Sequence, residues 1–174
     1  MARLEPQALV RHLDRLHRAA WALCGSREEA EDLVQETVAR VLEKPRELRG
    51  EQELAYLVRA LRNTFLTGRR TASRRPRESA PLDAVATPDR RASGRPEAAL
   101  AAHELLDAIA ALPQDFRLAL VAVDVAGLSY REAADVLGTR EATIATRLHR
   151  ARERVARTLE GDEREGTGSE RSLK

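Results

Sequence analysis

The 174 residues suffice for one ordinary domain or two small ones, and an apolar fraction of 43% allows a packed core. Aromatics make up only 3%, so that core must be built from Leu, Val and Ala, which together with Arg and Glu bias the chain towards helix. No run of alternating β-branched residues reads as a strand, so the expected class is all-α, and a formal charge of +2 does not by itself argue for nucleic acid.

A first helical region runs from about Pro6 to Gly68. Leu9, Leu13, Leu16, Ala20 and Leu23 recur at helical spacing and make one apolar stripe. Gly25 stops that helix. Ser26 opens the next, with Glu29 placed to complete a capping box. Ala30, Leu33, Val34, Thr37, Val38, Val41 and Leu42 form the second stripe, which Pro45 ends. A third helix carries Leu54, Leu57, Val58, Leu61 and Phe65 on one side, and Gly68 is its expected C-terminal stop.

Composition then changes. "TASRRPRESAPLDAVATPDRRASGRPE" (71–97) holds Pro76, Pro81, Pro88 and Pro96, four of the chain's seven prolines, and few large apolar residues. It reads as a flexible linker between two small domains. A second helical region starts near Ala98. Leu100, Leu105, Leu106, Ile109 and Leu112 give its first stripe. Pro113 opens a helix with Phe116, Leu120 and Val123 inward, and Gly127 closes it. Ser129 and Glu132 form another capping box, followed by Ala133, Ala134, Val136 and Leu137 and a turn at Gly138. The last helix carries Ile144, Leu148, Ala151, Val155 and Leu159 at spacings of three and four. The tail "GDEREGTGSERSLK" is expected to be disordered.

The charge is unevenly spread. One arginine run covers Arg59, Arg62, Arg69, Arg70, Arg74, Arg75 and Arg77; another covers Arg147, Arg150, Arg152, Arg154 and Arg157. Such clusters can bind phosphate, although a solvated face is the more common role of a charge run. A short capped helix, a glycine turn and a second helix make a helix-turn-helix, whose second helix enters the major groove. Opposite its apolar stripe that helix shows Arg140, Thr143, Thr146, Arg147 and Arg150, residue types that reach phosphates and base edges. An ordinary helical hairpin with a basic exterior is the alternative.

Other chemistry is absent from the pattern. Cys24 is the one cysteine, so neither an intrachain disulfide nor a Cys-rich metal site is expected. His12, His17, His103 and His149 are scattered without metal-ligand spacing, and no phosphate-cradling glycine loop or catalytic constellation appears, so neither an enzyme nor a cofactor is expected. The start lacks an apolar signal core, and no apolar run is long enough to span a bilayer, which points to a cytoplasmic chain without membrane insertion.

"ALPQDFRLALVAVDVAGLSYREAADVLG" and "RLHRARERV" resemble the promoter-reading domain of bacterial sigma factors of the extracytoplasmic-function (ECF) group of the sigma-70 family. "GSREEAEDLVQETVARVL" is similar to that family's polymerase-binding helix, and "AYLVRALRNTF" to its minus-ten helix. The resemblance implies a sigma region 2-like domain over 1–70, a linker over 71–97, a region 4-like domain over 98–160 and a tail over 161–174. It implies binding to core RNA polymerase through Asp32, Leu33, Val34, Gln35, Glu36 and Arg40. Tyr56, Arg59, Arg62, Asn63, Arg69 and Arg70 would meet the minus-ten DNA. Arg140, Ala142, Thr143, Ala145, Thr146, Arg147, His149 and Arg150 would meet the minus-35 element. Ala145 departs from the basic residue usual in relatives, and Val41 and Val58 stand where aromatics are common. An anti-sigma partner clamping both domains is implied as well. Two other readings stay open: a stand-alone helix-turn-helix regulator, which would not need "EDLVQET", and an interaction protein that has lost DNA reading. The stripes do not say whether the two domains rest on one another.

Overall fold

The computed structural model describes residues 2–3, 6–44, 47–48, 52–74 and 96–169, with side chains at 7, 9–44, 52–71 and 100–161. The fold is all-α: α1 (Pro6–Cys24), α2 (Arg27–Glu43) and α3 (Glu53–Arg74) form a first module, and α4 (Pro96–Ala110), α5 (Gln114–Leu120), α6 (Tyr130–Leu137) and α7 (Glu141–Ser169) a second. Two residue pairs, Ala2 with Leu48 and Arg3 with Glu47, add a minimal antiparallel β1–β2 pairing that no sequence pattern announced. Of the expected linker at 71–97, residues 71–74 extend α3 and 96–97 open α4, while 75–95 lie outside the described residues.

The first module assembles on the expected stripes. Leu9, Leu16, Leu23, Ala30, Val34, Val41, Leu57 and Leu61 are buried. Gly25 ends α1 at φ +76, a left-handed backbone that side chains disfavour. A Cβ at Gly25 would also lie 2.9 Å from the Ala110 Cβ, so the turn doubles as the point where α4 approaches α1. Ser26 caps α2 one-sidedly, its Oγ accepting from the Glu29 amide at 3.4 Å.

Two details differ from the sequence reading. Leu42 is 46% exposed rather than in the stripe. Gly68 does not stop α3, which continues to Arg74 with open space around the glycine. A helical glycine costs only about 1 kcal/mol, which a helix of 22 residues absorbs, so α3 runs through it.

In the second module α5 opens after Pro113 and passes into a π-helical turn, Val121–Val125, closed by the Ala126 amide donating to the Val121 carbonyl at 2.8 Å. The complete capping box forms at α6: Ser129 Oγ accepts from the Glu132 amide, and the Glu132 carboxylate accepts from the Ser129 amide at 2.8 Å. The Ser129 hydroxyl also donates to the Glu132 carboxylate at 2.6 Å, and this bond, with the one from the Ser129 amide, holds the carboxyl below its ordinary pKa. Gly138, at φ +66, turns the chain into α7. The α7 seam of Ile144, Leu148, Ala151 and Val155 is buried as the spacing predicts. Leu100 and Leu105 are exposed, because α4 packs on α1 and α7 through Ala108, Ile109 and Leu112 further along. The backbone of α7 stays helical to Ser169, into the stretch expected to be disordered.

The modules are packed together. One apolar cluster runs from Leu9, Leu16 and Leu57 of the first module to Leu118, Leu148 and Val155 of the second. In a second cluster Val58 of α3 sits among Ala119, Ala122, Ala134, Val136 and Ile144.

Candidate polymerase and nucleic-acid interfaces

The first candidate surface is the outer face of α2. Asp32, Gln35, Glu36 and Arg40 are exposed, with Arg40 ion-paired to Glu36 one turn earlier. Leu33 and Val34, expected in the same contact set, are only 8% and 2% exposed. They face the α1 and α3 cores and hold the helix rather than offer it to a partner, which corrects that expectation. What these positions present is a mixed carboxylate and amide surface with the Arg40 guanidinium.

The second surface is the N-terminal half of α7. Arg140, Ala142, Ala145, Thr146, His149 and Arg150 are exposed, Thr143 and Arg147 half-buried. With Ile144 and Leu148 turned fully inward, the helix presents this opposite face to solvent. Thr146 Oγ1 donates to the Ala142 carbonyl at 3.0 Å, and His149 Nε2 lies 3.7 Å from Glu153.

The second arginine run divides by use. Arg147 donates to Asp115 of α5 at 2.6 Å and so braces α7 against its neighbour. Arg152 grips Asp124 with two bonds, 2.7 and 2.9 Å, which raise its pKa above the ordinary arginine value. Arg154 stands 5.0 Å over the Phe116 ring. Arg150 has no such bond among the described residues and is the run's free cation. Bracing partners sit far off in sequence, so the run looked uniform in the chain and is not.

The third surface, on α3, is partly covered by α6. Arg59 is exposed, but its Nη2 donates to the Asp135 carbonyl of α6 at 2.9 Å. Tyr56 is half-buried, and it lines with Arg59, Glu132 and Asp135 a cleft of about 290 Å³ between α3 and α6. Arg62 is half-buried and donates to Asn63 Oδ1 at 3.2 Å, while Asn63, Arg69 and Arg70 are exposed. Arg69 also lies 5.7 Å over the Phe65 ring.

Arg117 escaped the sequence reading altogether. It is 9% exposed, and its guanidinium donates to the Leu23 carbonyl at the end of α1 (2.7 Å) and to the Leu112 carbonyl just past α4 (2.9 Å). Burial lowers its pKa. Backbone carbonyls carry no sequence signature, so nothing in "QDFRLAL" distinguishes this arginine from a surface charge.

Residues 9–75 match the family described as Sigma-70 region 2, and residues 102–155 that described as Sigma-70, region 4. The ECF RNA polymerase sigma factor EcfG of Rhodopseudomonas palustris is 33% identical over 160 residues, covering 91% of this chain and 87% of that protein. The chain belongs to the ECF group of the sigma-70 family. ECF sigma factor SigM of Mycobacterium tuberculosis (strain H37Rv) is 34% identical over 155 residues, covering 88% of this chain and 76% of its own. ECF sigma factor SigE of Mycolicibacterium smegmatis is 35% identical over 154 residues, but the chain spans only 58% of its length. Among solved structures, the sigma factor RpoE of Bartonella quintana, in complex with the anti-sigma factor NepR, superposes with a TM-score of 0.66 at 27% identity. The alignment covers 88% of this chain and 95% of RpoE. CnrH, in complex with the cytosolic domain of CnrY, shares the fold with a TM-score of 0.64 at 22% identity, covering 90% of this chain and 87% of CnrH.

Proposed function

We propose that this sigma factor binds core RNA polymerase through the exposed face of α2 and directs it to promoters, reading duplex DNA with α7 and opened DNA with α3. The observation that carries the reading is the pairing, on one chain, of an exposed polar α2 face with an α7 face whose Arg140, Thr146 and Arg150 project opposite a fully buried seam. A regulator that bound DNA through its second module alone would have no use for the first of these. Arginine supplies phosphate neutralisation and bidentate guanine contacts on α7. Exposed Ala142 and Ala145 shape the reading face without adding hydrogen bonds. On α3, Tyr56 offers a stacking ring for an unstacked base, and Arg59, Arg62, Asn63, Arg69 and Arg70 offer polar and phosphate contacts. No residue is assigned a catalytic role.

A partner of the anti-sigma kind fits, as in the RpoE complex. The chain acts in the cytoplasm, consistent with the absence, among the described residues, of any helix long and apolar enough to cross a membrane.

Two variants divide the surfaces. Charge reversal on α2 (Asp32→Lys with Glu36→Lys) should weaken core-polymerase binding by at least about tenfold, the equivalent of about 1.4 kcal/mol, while loss of the Glu36–Arg40 pair lowers stability by only about 0.5 kcal/mol. Arg150→Ala should leave core binding intact and weaken holoenzyme binding to duplex promoter DNA, by about 1–3 kcal/mol if it contacts a base. Equal losses of both activities in either variant would contradict the assignment.

A further inference from the structure

The buried seam of α7 decides which side of that helix faces inward, but apolar contacts are non-directional and hold its rotation loosely. Two ion pairs supply direction. Arg147 donates to Asp115 at 2.6 Å, and Arg152 grips Asp124 with bonds of 2.7 and 2.9 Å. We infer that Arg152 is a positioning residue for promoter reading: its two-bond grip on Asp124 sets the rotation of α7 about its own axis, and with it the register of Thr143, Thr146 and Arg150 against base edges. The inference rests on the assignment of α7 to duplex DNA.

Helical periodicity puts the two arginines on opposite flanks of α7. At about 100° per residue, with Ile144, Leu148, Ala151 and Val155 forming the seam, Arg147 and Arg152 fall roughly 70° to either side of its centre. Arg152 also stands roughly 140° around the helix from the line between Thr146 and Arg150, so it acts through α7 rather than on a base. Both partners belong to one support: Asp115 lies in the first turn of α5, and Asp124 in the π-helical turn that continues it. One contact leaves a helix free to pivot, whereas two contacts from opposite flanks to one support do not. The grips differ in kind. Arg147 uses a single nitrogen, while Arg152 sets Nε and Nη2 on both carboxylate oxygens, a planar fork that fixes orientation as well as distance. Tyr130, the first residue of α6, adds to Asp124 in holding Arg152 charged.

Small rotations matter to a reading helix. A turn of roughly 20° shifts atoms at the outer radius, about 6 Å from the axis, by about 2 Å. A base-edge hydrogen bond, with its narrow range of length and angle, does not survive that shift. A guanidinium on a flexible stem still reaches a phosphate, whose contacts carry no sequence information. Loosening the grip therefore costs discrimination between sequences and leaves general DNA affinity in place. Charge alone predicts the opposite sign at Asp124. Removing a bare carboxylate from a DNA-binding module tightens binding, whereas removing the anchor of α7 weakens binding to the preferred sequence.

The test separates reading from binding. The full chain, reconstituted with core RNA polymerase, selects from a duplex pool randomised upstream of a constant start region. The winning duplex and a scrambled duplex then serve as probes for the parent, Asp124→Asn, Arg152→Lys and the exchanged pair Asp124→Arg with Arg152→Asp. Each single variant should lower the ratio of winning to scrambled affinity by about tenfold, the order of one lost base contact. Affinity for the scrambled duplex should not fall, salt slope and core-polymerase binding should stay parental, and the exchanged pair should recover most of the ratio. Asp124→Asn that tightens both probes alike, or a parental ratio in either single variant, overturns the inference. If both single variants also lose core binding, their fold has suffered and the exchanged pair decides: a ratio it fails to restore overturns the inference. A parent holoenzyme that enriches no sequence counts against the proposed function instead, and amide hydrogen exchange of the free chain then judges the grip. Asp124→Asn should speed exchange over 141–150 by about tenfold with α2 unchanged, and parental rates there overturn it.

Discussion

Cys24 shows how far a single position can be read from its surroundings. It ends α1 beside Gly25, half-buried, and desolvation with the nearby Glu29 charge pushes its thiol pKa from 9.0 to about 11. A raised folded-state value means the neutral thiol is favoured by folding. The associated stability is present below pH 9 and fades as pH rises through 11. Thiolate at neutral pH is correspondingly scarce, so iodoacetamide should alkylate Cys24 at least about tenfold more slowly in the folded chain than in urea. Equal rates would mean that the α1–α2 turn is far more open than described. Arg117, close by, makes the converse point. Its importance lies in two backbone carbonyls, which no residue pattern encodes.

Among the elements, α6 serves two roles. It is the support helix of the helix-turn-helix and the piece that covers α3. Its eight residues are too few to be stable alone, so the Ser129–Glu132 box and the buried Ala133, Ala134 and Val136 must hold it. Ser129→Ala should therefore cost about 1 kcal/mol, read as a lower urea midpoint at unchanged slope. No change in midpoint would show that packing alone fixes the helix. Elements of this kind were legible: the cap, the Gly138 turn and the seam from Ile144 to Val155 each have a local signature. Gly68 misled because one glycine costs a long helix only about 1 kcal/mol, too little to end it. Leu33 and Val34 carried two expectations, apolar stripe and contact residues, and their burial follows the stripe.

At the scale of the whole molecule the sequence shows two stripes of helices but not their mutual packing. Which leucines of α1 and α3 meet which alanines and valines of α5 and α6 depends on shape across more than fifty residues of chain. Exposure of the α7 face follows from its own periodicity and was legible; coverage of the α3 face follows from docking and was not. The two modules are proposed to join polymerase to promoter, and run-off transcription with core RNA polymerase over a promoter library, with and without the full chain, tests this most directly. Discrete products that require the chain, and that diminish in the α2 charge-reversal variant, are expected. A product pattern identical to that of core polymerase alone would contradict the proposal.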